Sequence, residues 1–281
     1  PHQTAHMRDE VSPGLDTAWQ VPLGPSVRLL GPPVVWRDFA FFTIVENQGA
    51  VLGSRIFAVD MRPYEDRDGR DENGNPRDGL GNPNDGMEGG WVDAGGTPIV
   101  DLTPESPYDV IWRYDLPGIV ASEPYVATVV VNQQPVDAVF FTTRDGLLHA
   151  VRAIPTVPNA DGEPVLASNT AELPGYPMTI ATDPNEITAP VVSREYVYVL
   201  TVEAGYYCVN VVAAATGVGK YKVPIGAASG VCTLATPAVV LMGNEERGST
   251  TEVAYASLPP GQLMALATYT YDERADRLPN D

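Results

Sequence analysis

The sequence predicts an all-β protein on three observations. Proline and glycine punctuate the whole chain, the apolar runs between them are short and β-branched, and one order of strands recurs four times. The 281 residues include 27 prolines and 26 glycines, yet 44% of residues are hydrophobic. Many short strands joined by turns, with enough apolar mass to bury a core, fit that combination.

Each copy of the recurring pattern begins with a phrase led by an aromatic residue. The four phrases are Trp19-Gln20-Val21-Pro22-Leu23-Gly24, Trp112-Arg113-Tyr114-Asp115-Leu116-Pro117-Gly118, Tyr176-Pro177-Met178-Thr179-Ile180 and Tyr221-Lys222-Val223-Pro224-Ile225-Gly226. A proline strand follows in each copy: Pro33-Val34-Val35, Pro124-Tyr125-Val126, Pro190-Val191-Val192 and Pro237-Ala238-Val239-Val240. Proline is tolerated at the first residue of a strand, where its missing N–H need not join the ladder. The next strands cover 39–44, 138–143, 196–201 and 253–257, all rich in β-branched or aromatic residues. The last strands cover 55–60, 147–151, 208–213 and 262–266, each with an alanine that lets neighbouring sheets approach closely. A pattern repeated at this scale points to one architecture built from stacked or radial units.

Two stretches carry the most specific signature: Ser122-Glu123-Pro124 through Thr143-Arg144-Asp145-Gly146-Leu147-Leu148-His149-Ala150, and Thr188-Ala189-Pro190 through Ala214-Ala215-Thr216-Gly217. In these residues the chain resembles the quinoprotein alcohol-dehydrogenase-like (PQQ-like) β-propeller repeat family. Such blades read as a proline-valine strand, a strand ending near Asp-Gly, and a strand running into Thr-Gly. The resemblance implies an all-β β-propeller with at least four recognisable blades. It leaves open a small closed ring, degenerate blades within 61–110 and 154–187, or an incomplete propeller finished by another subunit. It implies architecture and not activity, because propellers host many unrelated roles. The expected division is an N-terminal extension at 1–18, the propeller at 19–268 with a long insertion at 61–110, and a C-terminal tail at 269–281.

The interval from Pro33 to Pro124 is longer than those between the later proline strands, which places the insertion in the first repeat. Its centre alternates oxygen-bearing side chains with turn residues. Ca²⁺ takes about six to eight oxygens from a curled loop, and Asp71, Asn73, Asn75 and Asp78, joined by Asp66 and Asp68, have suitable spacing. The stretch departs from an EF-hand loop, with Pro76 where the sharp-turn glycine belongs and no glutamate at the twelfth position. A solvated Asn/Asp/Gly loop is the plainer reading, and a Ca²⁺ site is the alternative to it. Calcium is the one cofactor weighed; neither PQQ nor haem is expected.

Charge bounds the partners. With 17 basic and 36 acidic residues the formal net charge is −19, and Lys220 and Lys222 are the only lysines. Nucleic acid is an unfavourable partner for such a chain. No apolar run reaches the eighteen or so residues of a membrane span. The first residue is Pro1 and not Met, so a processed, exported protein is expected, secreted, extracellular or periplasmic. Cys208 and Cys232 are expected to form a disulfide in an oxidising compartment, with two buried free thiols as the alternative.

Catalytic signatures fit poorly. His2 and His6 have helix-turn spacing but stand in a polar tail, and His149 reads as a packed structural histidine. Gly217-Val218-Gly219-Lys220 lacks the first glycine and the Ser/Thr of a phosphate loop. Ser229 sits one position late for a nucleophile elbow between Gly226 and Gly230. No Cys-x-x-Cys-His occurs, and the two cysteines are not adjacent as in quinone-dependent dehydrogenases. The expectation is a non-enzymatic structural or interaction module with protein partners, copies of itself included. An adhesin-like or ligand-binding propeller with a Ca²⁺-binding loop is the alternative, and a fragment of a quinone-dependent dehydrogenase a third, weaker one.

Overall fold

The computed structural model describes residues 27–48, 51–60, 110–116, 118–158, 164–166, 170–182, 184–228, 234–244, 249–259 and 261–272. Among them there is no helix, and hence none long and apolar enough to cross a membrane. The chain is all-β, and every strand pairing in its sheets is antiparallel.

Among the described residues four sheets of three or more strands follow one another along the chain, with a separate two-stranded hairpin beside the second. The first contains β1 (Val27–Leu29), β2 (Val34–Trp36), β3 (Phe39–Gln48), β4 (Val51–Asp60) and β5 (Val110–Leu116). The second contains β6 (Tyr125–Val131), β7 (Gln134–Thr142), β8 (Leu147–Arg152) and, beyond the small hairpin of β9 (Thr156–Pro158) and β10 (Pro164–Leu166), β11 (Met178–Thr179). The third contains β12 (Glu186–Ile187), β13 (Val191–Ser193), β14 (Tyr196–Glu203), β15 (Tyr206–Ala213) and β16 (Gly219–Ala227). The fourth contains β17 (Ala238–Asn244), β18 (Ser249–Leu258) and β19 (Gln262–Asp272).

The four prolines of the sequence repeat each stand immediately before a leading strand: β2, β6, β13 and β17. The residue after each proline pairs with the same aromatic position of the next strand, Val34 with Phe41, Tyr125 with Phe140, Val191 with Tyr198 and Ala238 with Tyr255. Tight turns make this register possible. Asn132 and Gln133 between β6 and β7 have positive φ, as do Arg37 between β2 and β3 and Arg194 between β13 and β14, which matches the twist of a two-residue hairpin.

The aromatic phrases do not open their own sheets. β5, β11 and β16 instead contribute the last strand of the sheet before, because an antiparallel meander places each new strand beside the one just completed. The phrase at 19–24 lies outside the described residues. β19 continues through Asp272, so 269–272, assigned to the tail by sequence, belong to a strand.

The buried apolar faces of the sheets pack in chain order. Phe41, Ile56 and Ala58 of the first sheet meet Val139, Phe141 and Val151 of the second. Phe140, Leu148 and Ala150 on the other face of the second meet Val197, Val199 and Val212 of the third. Tyr198, Leu200 and Val209 of the third meet Ala254, Ala256 and Leu258 of the fourth. Phe41 and Phe140 are fully buried, each contributing roughly 1.5–3 kcal/mol. The leading strands are neighbours as well: β2 touches β6, β6 touches β13 and β13 touches β17.

Glycine is required where two of these units meet. A Cβ on Gly175 would lie 1.9 Å from the Thr216 carbonyl oxygen, and one on Gly217 would lie 2.4 Å from that of Gly175. Both residues also have positive φ. The Thr-Gly of the sequence repeat is therefore a contact between consecutive sheets, and Gly217-Val218-Gly219-Lys220 is the turn from β15 into β16.

Candidate functional site

Buried polar groups concentrate where one sheet meets the next. Between the first and second sheets, Tyr114 on β5 donates its hydroxyl to Glu172 Oε1 at 2.8 Å. His149 Nδ1 on β8 lies 2.7 Å from the same oxygen, and the Ala150 N–H donates to Glu172 Oε2 at 3.2 Å. Glu172 is brought there by an antiparallel bridge to Val151. Burial, then the hydrogen bond and charge of Glu172, push the Tyr114 phenol well above its ordinary value. The His149 ring stacks on Phe141 with centroids 4.8 Å apart.

Thr143 Oγ1 lies 3.5 Å from His149 Nε2, so hydroxyl, imidazole and carboxylate stand in the order of nucleophile, base and orienting group. Burial argues for packing: Thr143 is 1% exposed and His149 5%, and the Thr143 hydroxyl is also directed at the Leu147 carbonyl. Trp112 Nε1 donates to the Ala153 carbonyl and the Val120 N–H to Ser54 Oγ across the same junction.

The other junctions are stitched similarly. Thr142 Oγ1 donates to the Thr188 carbonyl at 2.9 Å, and Tyr176 donates to that of Ala214 at 2.9 Å, joining the second and third sheets. Burial, with the charge of Glu172 adding to it, pushes the Tyr176 phenol well above the ordinary value. Between the third and fourth sheets Glu252, fully buried, accepts from the Tyr198 hydroxyl and from Ser193 Oγ at 3.0 Å. Sequence reasoning did not single out Glu252, but a signal was present. It lies in phase with Ala254, Ala256 and Leu258, which places a carboxylate on the buried face of β18. Glu172 had no such signal, because it stands outside a strand and is positioned by a single bridge.

One cavity is bordered by several polar residues. It has a volume of about 430 Å³ and is bordered by Ser122 and Glu123 before β6, Arg144 in the turn after β7, Glu186 on β12, Thr188, and Thr236 before β17. Glu186 Oε1 is engaged by the Leu234 N–H at 2.5 Å. The Ser122 and Thr188 hydroxyls are buried and bonded within the protein, which leaves the Arg144 guanidinium, the Glu123 carboxylate and the Thr236 hydroxyl for a small polar molecule.

Of the residues selected by sequence, Asp66, Asp68, Asp71, Asn73, Asn75 and Asp78 lie outside the described residues. Cys208 is buried on β15, where burial pushes its thiol up against the opposing pull of Lys222. Cys232 lies outside the described residues. No cluster of three metal-ligating side chains occurs among the described residues. No family model matches the chain, and no curated protein matches it.

Proposed function

We propose that the chain is a non-catalytic structural module of β-propeller type and a subunit of an extracellular or periplasmic protein assembly. The observation that carries this reading is the successive packing of four like sheets, with leading strands adjacent, ending on a fourth sheet whose β19 edge is open among the described residues. Blades around an axis account for that order, and the PQQ-like repeat resemblance supports it. The use of buried polar groups in bonds between sheets favours scaffolding over chemistry. Protein purified from its native source should be found in particles larger than one chain by electron microscopy and native mass measurement. Monomers alone at every concentration would count against it.

The cavity favours a second reading, a ligand-binding propeller. A panel of small polar molecules, neutral saccharides included, screened by ligand-observed NMR should then give a binder whose signal is lost in Arg144→Ala. No binder from the panel leaves the structural reading.

A further inference from the structure

Three leading strands begin beside one another. Glu123, Ala189 and Thr236 each stand immediately before the proline that precedes β6, β13 and β17, and these strands are neighbours in that order. All three residues border the cavity of about 430 Å³, together with Arg144 from the turn after β7 and Glu186 of β12. That volume lies within the roughly 300–1,000 Å³ of small-molecule sites. Three consecutive sheets therefore build one cavity at the start of their leading strands.

Its charges belong to the cavity and not to the repeat. The position of Glu123 is alanine in the next sheet, at Ala189, and threonine in the one after, at Thr236. Arg144 stands four residues after Phe140, and the residues four after the equivalent Phe41 and Tyr198 are Val45 and Val202. Folding a unit thus requires no charge at either position.

The charged residues are mounted on fixed backbone. A Cβ on Gly31 would lie 2.9 Å from Glu123 Cβ and 3.3 Å from its Oε2, so a glycine before β2 makes room for this side chain. The Arg144 N–H donates to the Ile119 carbonyl at 2.8 Å, and the Gly146 N–H closes the same turn on the Thr143 carbonyl at 2.9 Å. Across the cavity the Leu234 N–H holds Glu186 Oε1 at 2.5 Å, and the Asn185 N–H donates to the Val202 carbonyl at 2.8 Å.

We propose that this cavity binds a small zwitterion, an amino acid or a dipeptide, with its carboxylate on the Arg144 guanidinium and its ammonium on the Glu123 carboxylate. This rests on the ligand-binding reading of the same cavity and names the ligand class. A guanidinium presents a planar fork that matches a carboxylate in two parallel hydrogen bonds, and an ammonium brings three donors to a carboxylate. A simple anion would meet Glu123 and Glu186 within the field of a chain of net charge −19. A simple cation would meet Arg144. A neutral sugar would take water from both charges and return no counter-charge. A quaternary ammonium head calls for aromatic faces, whereas the residues bordering the cavity are aliphatic or polar. A molecule carrying both signs complements both walls at once.

The experiment titrates the full-length chain with glycine, 4-aminobutyrate, glycylglycine, butylamine, butyrate and glucose, followed by saturation-transfer NMR. Wild type is compared with Arg144→Gln and Glu123→Gln, which remove one charge each at similar size; circular dichroism and the melting temperature check that both remain folded. The three zwitterions separate ammonium from carboxylate by different spans, and at least one should bind. Each substitution should weaken it at least about tenfold, the effect of losing a hydrogen bond between charged groups. Butylamine and butyrate, with one charge each, should bind at least about tenfold more weakly than that zwitterion. Glucose or butyrate binding as tightly as every zwitterion overturns the proposal and leaves the ligand-binding reading standing. Zwitterion binding that either substitution leaves unchanged overturns the placement on Arg144 and Glu123. No binding by any probe overturns the zwitterion and the ligand-binding reading together.

Discussion

Glu172 is the most exposed to test of the groups that bind one sheet to the next. Replacing it with alanine removes the acceptor of three donors at once: the Tyr114 hydroxyl at 2.8 Å, the His149 ring at 2.7 Å and the Ala150 N–H at 3.2 Å. A buried donor left without a partner costs roughly 1–3 kcal/mol. The Glu172 side chain is 18% exposed, so water entering the vacated space offsets part of the loss. The expected destabilisation of Glu172→Ala is therefore about 3–4 kcal/mol, and that of Glu172→Gln, which keeps an acceptor oxygen, about 1–2 kcal/mol. Denaturant unfolding followed by tryptophan fluorescence measures both. Tyr114 supplies an independent readout, because its raised value comes from burial first and from Glu172 second. In Glu172→Ala its ultraviolet titration should move down toward 10 without reaching it. The sign for stability follows. The unfolded chain releases the Tyr114 proton near the ordinary value while the folded chain holds it, so this contribution is complete below pH 10 and is lost as pH rises beyond it. Wild type should lose more stability in alkali than Glu172→Ala. An alanine variant destabilised by less than about 1 kcal/mol, with the tyrosine titration unmoved, would refute the assignment of Glu172 as the bond between the first two sheets.

Three further outcomes are expected. Gly175→Ala, which drives a methyl to within 1.9 Å of a carbonyl at positive φ, should destabilise by about 3 kcal/mol or more; Gly205→Ala, with positive φ but open space around it, should cost only about 1 kcal/mol, both read from thermal unfolding. Glu203 is held below its ordinary 4.5 by the hydrogen bond from Lys222, so its contribution is present above that value and lost as pH falls through its lowered one; the melting-temperature gap between wild type and Lys222→Met should be small, because both side chains are partly exposed, and should close in acid. If Asp66, Asp68, Asp71, Asn73, Asn75 and Asp78 gather Ca²⁺, limited proteolysis within 61–109 should slow on adding calcium, and equal cleavage in chelator removes that site.

The strands were legible because they depend on local chemistry. Pro33, Pro124, Pro190 and Pro237, followed by β-branched runs, placed the leading strands to within one residue, the observed strands starting just after each proline. The assignment of the aromatic phrases to sheets was not legible, since which neighbour a strand pairs with depends on the meander's direction and not on the phrase itself. Composition also concealed the reason for the small residue near the centre of each third strand. Ala58 stands opposite Trp112, and Ala150 occupies the equivalent register beside Tyr176, so the small side chain makes room for the aromatic of the added strand. In the third sheet Val211 takes that register and its partner Tyr221 is more than half exposed, the expected consequence of a bulkier floor. Cross-sheet carboxylates were invisible for a different reason: a lone Glu signals nothing until the fold buries it.

Charge distribution ties these observations to association between copies. A net charge of −19 sets identical molecules against one another, so any contact between them must be neutral or screened. β19 is one edge that meets this condition, with no charged residue until its last. The guarded edges show the opposite choice, with Arg55 and Arg113 both held on Asp115 at β5 and Lys222 held on Glu203 at β16. Those pairs place fixed charges along strands that already complete their sheets, where a further strand would have to desolvate them. Among the described residues β6, β17 and β19 are the long edges without such a guard, and β19 is the longest of them. Surface charge then sets copies apart except along such uncharged edges, so its effect is selectivity among geometries of approach.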